Sequence, residues 1–458
     1  MGRLIVVSNR TPSPRERTQP AGGLTVGLRD AVRGVDSMWF GWSGNQVDDV
    51  KGQKVDKDTV DGVTYATIDM TPAQYEGFYQ NFSNGLLWPL CHYRMGMLSF
   101  RRADWDAYLE VNRMFAEHLT PLLRPDDVIW VHDYHLFPLG QMLRDAGVMC
   151  RIGFFLHIPF PPWSVSRALP IADELLHEMT AYDLVGVQTE EDAINLDGCF
   201  AACGVQVKAR AFAIGIDPDG FLEQAETAVK SHDGRTLRES LHGRKLILGV
   251  DRLDYSKGLP ERMLGYAQLL KRYPEHLGKV TFLQIAPVSR GGVATYQQLR
   301  QQLEELVGRI NGEYASYEWT PIRYLTSPVA RTTLAGFHRI ADVGLVTPLR
   351  DGMNLVAKEY VAAQDPKDPG SLVLSHFAGA APELPDALLV NPYDADDTAD
   401  ALHLALTMPL PERKRRWHGM RDEVWKHTAA TWARDFLEAL HALPSPHDRE
   451  PEHRVKHR

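Results

Sequence analysis

Between residues 247 and 262 the chain reads ILGVDRLDYSKGLPER. An apolar run ends in Asp251, Arg252, Asp254 and Lys257, and a helical pattern follows at once. Two cations five positions apart at the end of a buried strand suit an anion such as a diphosphate; the alternative is a solvated turn. Other apolar runs end in the same way. Ser8, Asn9 and Arg10 follow Leu4–Val7, Asp133 follows Val128–Val131, and His157 follows Ile152–Leu156. Arg290 follows Val280–Ile285 after a short gap, and Asp351 follows Val343–Val346. One polar residue at a strand end says little, because such ends are wet. Six of them argue for one shared site, provided that they converge.

Further patterns are weaker. Gly22 and Gly23 open a helical stretch, where paired glycines let the backbone approach a phosphate; a flexible turn explains them equally well. His132 and His135 lie three apart in HDYH, yet no third metal ligand follows at a sensible spacing, and Asp133 is the better candidate there, as an acceptor for a substrate hydroxyl. Asp351 and Glu359 are eight apart. Eight residues of helix rise about 12 Å, too far for a paired acid and base, so two separate contacts on one long ligand fit better, with Glu359 on a ribose diol. Asp394 reads as a helix N-cap. Cys199 and Cys203 lie four apart with no second ligand pair nearby, and the four cysteines in the chain form no disulfide framework.

The elements that must position these residues alternate along the chain. Continuous Val- and Ile-rich runs at Leu4–Val7, Val128–Val131, Ile152–Leu156, Leu184–Val187, Leu246–Val250, Val280–Ile285, Val343–Val346, Leu372–Leu374 and Ala387–Val390 are interleaved with helical stretches. That pattern predicts an α/β fold with parallel sheets covered on both faces. The alternation weakens over 217–243 and restarts at Lys245. It predicts two doubly wound domains, 1–235 and 236–429, facing across a cleft. Residues 40–105, rich in aromatics, read as an insertion shaping one wall. The tail 444–458 lacks an apolar pattern and reads as disordered.

With 458 residues, 44% hydrophobic and 24% charged, the composition is that of a soluble globular protein. The net charge of −9 disfavours a nucleic-acid surface. No apolar run is long enough to span a membrane, and the short apolar N-terminus does not read as a signal peptide, so a cytoplasmic location is expected.

Long blocks of the chain carry a family resemblance: VVSNR, AGGL, WFGWSG, NFSNGLLWPL, WVHDYHL, GFFLHIPFP, DRLDYSKGLPER, QIAPVSRG, GRING, DVGLVTPLRDGMNLVAKEYVA and LVLSHFAGAA. From about residue 3 to 435 the sequence resembles the α,α-trehalose-phosphate synthases, retaining glucosyltransferases built from two Rossmann-like domains (GT-B). The resemblance implies transfer of glucose from a nucleotide-diphosphoglucose to glucose 6-phosphate, giving α,α-trehalose 6-phosphate. It implies an acceptor site of Arg10, Tyr79, Asp133 and Arg290, shaped by Trp88. It implies a donor site of Gly22, Gly23, Arg252, Lys257 and the segment Asp351, Gly352, Met353, Asn354, Leu355, Val356, Ala357, Lys358 and Glu359. His157 and Asp351 would contact the transferred glucose, and His157, Asp133, Arg252, Lys257 and Asp351 form the catalytic set. A helix near 430–443 would complete the first domain. No cofactor and no metal are implied. Partners are the small-molecule substrates, with UDP-glucose the default donor and GDP or ADP the alternatives, and a homo-oligomer, dimer or tetramer, is compatible. Two departures stand out: a shortened stretch between Cys203 and Ile214, with Ala213 in place of a proline, and a Pro- and Arg-rich loop at Thr11–Pro20.

Two rival readings remain at this level. One is a sister transferase with another phosphorylated acceptor, such as glycerol 3-phosphate. The other is a silent sugar-phosphate-binding relative, against which the intact Arg252, Lys257, His157, Asp351 and Glu359 argue.

Overall fold

The computed structural model describes residues 2–12, 28, 36–288 and 294–444. Its strands are β1 (Leu4–Arg10), β2 (Ser37–Gln46), β3 (Asp56–Val60), β4 (Val63–Met70), β5 (Val128–His132), β6 (Arg151–Phe155), β7 (Leu184–Val187), β8 (Ala209–Ala211), β9 (Lys245–Val250), β10 (Val280–Ile285), β11 (Ile322–Leu325), β12 (Val343–Val346), β13 (Ser371–Ser375) and β14 (Leu388–Val390). They form two sheets, in the orders β3-β4-β2-β1-β5-β6-β7-β8 and β11-β10-β9-β12-β13-β14. Only the β3–β4 pair is antiparallel. Helices between the strands make both sheets doubly wound, as the alternation predicts. In each sheet the order reverses at one place: between β1 and β5 in the first, between β9 and β12 in the second. Loops leaving the carboxyl ends there diverge and open a crevice.

The chain divides into two compact units. The first holds β1, the stretch Leu28–Ala213 and the segment from Trp432; the second holds Ile214–Thr431. The expected boundary near 235 is therefore too late. The polar stretch before β9 is two helices, Pro218–Ala228 and His232–Ser240, and both pack within the second unit. Their buried residues are too sparse to show as apolar runs, so the stretch reads as a linker. At the far end, Trp432 and Phe436 of the helix Ala429–His441 pack on Trp130 of β5, each with ring centroids 4.8 Å apart.

The aromatic segment is not an insertion. β2 and β4 lie inside the first sheet, with Trp39 and Phe40 buried. Tyr75–Leu87 then forms a π-helix of 13 residues. Its wide turn is supported by side chains that bond five residues back: Ser83 Oγ donates to Phe78 O at 2.7 Å, and Asn84 Nδ2 to Tyr79 O at 2.8 Å. The expected tail lies outside the described residues, apart from its first residue, Pro444.

The second sheet is tied together at its carboxyl end by Arg262. This arginine sits on the helix Leu259–Arg272, on the same stripe as Leu259, Tyr266 and Leu269, and is fully buried. Its guanidinium donates to Asp251 Oδ2 at 2.6 Å, Gln284 Oε1 at 3.0 Å and Thr347 Oγ1 at 2.9 Å, and to the carbonyl of Lys257 at 3.3 Å. One side chain thus joins the ends of β9, β10 and β12 to the loop between β9 and its helix. The loop closes on Gly258, which has φ 63°; a Cβ there would lie 2.4 Å from the carbonyl of Thr347. Burial pushes the Asp251 carboxyl up, while Arg262 and then Lys257 pull it back.

Arg262→Met leaves the Asp251 carboxylate buried without its partner and costs about 3–5 kcal/mol. Arg262→Met with Asp251→Leu recovers most of that loss. Urea unfolding of both variants tests the pair, and a single variant that unfolds with the wild type removes Arg262 as the tie.

Candidate active site

In the first unit the candidate residues gather where β1 and β5 diverge. The β1–β2 register breaks between Val7 and Arg10, which re-aims the end of β1. The Arg10 guanidinium lies over the Trp42 ring, 5.9 Å from its centroid. It also lies against Gly44, whose φ is 96°; a Cβ on Gly44 would come within 2.7 Å of it. Trp42 leads to Tyr75 (5.4 Å) and Tyr79 (6.3 Å) on the π-helix, and Tyr79 stacks on His135 at 5.7 Å and 11°. Trp88, at the end of the π-helix, is buried against His92 and Tyr134. Arg10 and Tyr79 thus face the same tryptophan.

Asp133 directly follows β5 with φ 76° and ψ 165°, a conformation that is costly for any residue but glycine. Its N–H donates to Phe155 O at 2.8 Å, and its Oδ1 accepts the His157 N–H at 3.3 Å. The ring of His157 has both nitrogens engaged: Nε2 faces His132 Nδ1 at 3.1 Å, and Nδ1 faces Gln188 Nε2 at 3.3 Å. Phe155 and Trp432 enclose it, and burial lowers its pKa to about 3. His132 is held well below the usual histidine range by burial and by His157. His132 therefore serves His157, while His135 serves Tyr79, so the two histidines of HDYH do not share a ligand.

The second unit brings its candidates together where β9 and β12 diverge. Arg252 is exposed just past β9. Lys257 Nζ lies 2.5 Å from Asp351 Oδ2, an ion pair spanning the two diverging loops. Asn354 Nδ2 donates to the same Asp351 oxygen at 3.0 Å, and Asn354, at φ 85°, caps the helix Leu355–Ala363 by accepting from Ala357 N. Gly352 and Met353 run between them, with Met353 O accepting from Ala380 N at 2.8 Å. Leu355 and Val356 are half-buried and Ala357 is buried. Glu359 is held by Arg331 at 3.0 Å; burial pushes its pKa up, with Arg331 opposing.

One expectation changes here. Lys358 is buried, and its amino group donates to Ile214 O at 2.8 Å beside Glu383, so it faces the interior and not the loops. Asp251 holds Arg262, because the helix side chain reaches the strand end from inside. Asp254 holds the loop, with Oδ1 accepting Ser256 N and Oδ2 accepting the Tyr296 hydroxyl. Gly22, Gly23 and Arg290 lie outside the described residues. Arg262, Arg331, Gln188 and Asn84 are absent from the sequence-derived set. Only Arg262 leaves a sequence signal, as a charge on the apolar stripe of its helix.

Comparison with known proteins places the chain in a family. The model of glycosyltransferase family 20 matches residues 2–442. A trehalose-6-phosphate synthase of Sodalis glossinidius (strain morsitans) is 46% identical over 459 residues, covering 97% of both chains. The crystal structure of a UDP-forming α,α-trehalose-phosphate synthase from Burkholderia xenovorans, in complex with glucose-6-phosphate, superposes with a TM-score of 0.93 at 47% identity, over 96% of this chain and 100% of that one. An E. coli trehalose-6-phosphate structure bound with UDP-2-fluoro glucose superposes with a TM-score of 0.91 at 46% identity, over 97% and 100%. Matched along nearly its whole length by the family model and by relatives of the same length, the chain belongs to glycosyltransferase family 20.

Proposed function

We propose that the chain transfers glucose from UDP-glucose to glucose 6-phosphate with retention, giving α,α-trehalose 6-phosphate and UDP. The observation that carries this reading is the cluster at the β9–β12 crevice: Arg252, Lys257 and the helix N-terminus behind Asn354. It suits a diphosphate whose charge grows as the glycosidic bond breaks. The names of the family relatives supply the substrates.

In this reading Arg252 and Lys257 neutralise the leaving diphosphate, taking the charge that a divalent ion carries in other nucleotide-sugar enzymes. Asp351 Oδ2 positions Lys257, and Oδ1 accepts a hydroxyl of the transferred glucose. Glu359, kept as a carboxylate acceptor by Arg331, takes the ribose diol. Arg10 and Arg290 hold the acceptor phosphate, Tyr79 and Asp133 hold acceptor hydroxyls, and Trp88 shapes their pocket. The acceptor hydroxyl attacks the anomeric carbon on the face that the diphosphate leaves. The bond from that carbon to the phosphate oxygen breaks, and the hydroxyl proton passes to the same oxygen. His157 contributes position and not a proton, since both ring nitrogens are already bonded. Among the described residues no helix is long and apolar enough to cross a membrane. A cytoplasmic enzyme, assembled as a dimer or tetramer, completes the reading.

A panel of UDP-, GDP- and ADP-glucose against glucose 6-phosphate and glycerol 3-phosphate tests the reaction. UDP release that depends on glucose 6-phosphate is expected. Release with glycerol 3-phosphate alone would favour the sister transferase, and no release with any pair would favour a silent relative.

Lys257→Ala lowers kcat about 100- to 1000-fold with little change in Tm. A variant that changes only the acceptor KM removes Lys257 from the diphosphate.

Gly44→Ala pushes the Arg10 guanidinium off its seat on Trp42. The KM for glucose 6-phosphate rises about tenfold, the value of roughly one charged contact, while the KM for UDP-glucose stays put. Equal rises in both would detach Arg10 from the acceptor.

The histidines set a pH dependence of stability. His157 has a folded pKa of about 3, against 6.5 for an ordinary histidine. Its stabilisation is complete above pH 6.5 and falls as pH drops towards 3, because only the unfolded chain takes up the proton. Each such histidine loses up to about 1.4 kcal/mol per pH unit. Urea unfolding from pH 7 to 5 shows the fall, reduced in His157→Gln, while the pH profile of kcat keeps its shape in that variant. An acid limb of kcat that disappears in His157→Gln would restore a proton-transfer role.

A further inference from the structure

At the opposite end of the second sheet from Lys257 and Asp351, three side chains converge that the proposed reaction does not use. Glu275 and His276 lie in the short turn Pro274–His276, between the helix Leu259–Arg272 and β10. His403 lies on the neighbouring helix Ala395–Thr407. His276 Nε2 and His403 Nδ1 face each other at 3.0 Å, and Glu275 Oε1 lies 3.7 Å from His403 Nδ1. The three ligand atoms all lie within 4.8 Å of one another, and among the described residues no other group of three does so. We infer that Glu275, His276 and His403 form a binding site for a divalent zinc-like cation, which fastens the helix Ala395–Thr407 to the turn before β10.

The spacing is that of a coordination shell. Two ligands at 2.0–2.1 Å from a tetrahedral metal stand about 3.3 Å apart, and the two measured separations straddle that value. The donors, two imidazoles and a carboxylate, suit zinc. The rings are also held in place. Tyr273 stacks on His403 at 3.9 Å and 10°, and its hydroxyl donates to Asp400 at 2.7 Å. His276 is buried, whereas Glu275 is exposed and His403 is partly so, which leaves a way in for the ion and a fourth position for water. Without metal, one ring hydrogen lies between the two nitrogens. On binding it moves to the far nitrogen of its own ring, so both lone pairs face the ion and no proton is lost.

Zinc titrated calorimetrically into the chelator-treated full chain tests the site. One equivalent binds to the wild type at this site; His403→Ala weakens it at least 100-fold and Glu275→Gln about tenfold. At zinc 100-fold above Kd the folded-to-unfolded ratio rises about 100-fold, seen as a raised Tm in the wild type and not in His403→Ala. In chelator, His403→Ala retains wild-type kcat. His447, His453 and His457 stay intact in every variant. Zinc binding and a Tm rise that survive both substitutions, or no stoichiometric binding to the wild type, would overturn the site.

Discussion

The second unit depends on one buried arginine. A parallel sheet that binds ligand at its carboxyl edge must end several strands in polar loops side by side, and those ends would otherwise splay into water. Arg262 prevents this from below, taking an acceptor from each of β9, β10 and β12 and a carbonyl from the loop between. Burying an ion pair stabilises a fold little compared with apolar residues of the same volume, but breaking one is costly. Its value here is specific placement. Asp251, Thr347 and the Lys257 carbonyl cannot move apart without leaving a buried charge unmet. The Lys257 side chain, one bond path away, starts from a fixed backbone and meets Asp351 on the other diverging loop.

The first unit solves the same problem with rings in place of charge. The π-helix Tyr75–Leu87 sets Tyr75 and Tyr79 against Trp42, which in turn supports Arg10. Asn84 accepts the Tyr134 hydroxyl at 2.8 Å, tying that helix to the turn after β5. Asp133 carries the strain, at about 1–3 kcal/mol for its backbone conformation. Residues on both sides of the turn hold it there: Phe155 O takes its N–H and the His157 N–H meets its carboxylate. An aspartate stands where glycine would be relaxed, which fits the hydroxyl-accepting role proposed for it.

How far the sequence reveals this depends on what each element buries. Strands covered on both faces by Val, Ile and Leu, such as β1, β5, β9, β10 and β12, read as apolar runs. β2 and β4 also lie inside their sheet, yet they are rich in Trp, Phe, Tyr, Thr, Gly and Ser and look irregular. β8 and β11 are short edge strands with one buried residue each. Charged residues at strand ends are visible because they interrupt apolar runs; hence Arg252, Lys257, Asp133 and Asp351 were legible. Their supports were not. Gln188 and Arg331 are ordinary polar residues until the fold brings His157 and Glu359 to them, and Lys358 looks solvent-bound until its helix turns it towards Ile214.

In the proposed reading, the charges at the β9–β12 crevice let an acidic chain receive an anionic donor. Asp251 is cancelled by Arg262 within the core, and Glu359 by Arg331. Asp351 is shared between Lys257 and Asn354. Arg252 stands exposed beyond the strand, and the helix N-terminus behind Asn354 adds partial positive charge. The carboxylates near the crevice are therefore spent on holding cations in place. Lys257 gains twice from this arrangement. Asp351 keeps it aimed before substrate arrives, so in the proposed reaction a diphosphate meets a cation already in position and little ordering entropy is left to lose on binding. In the proposed reaction the same pairing limits how tightly the ground state is held, since the diphosphate must share Lys257 with Asp351. It gains most when the leaving group has taken on its full charge, which is where stabilisation accelerates the transfer.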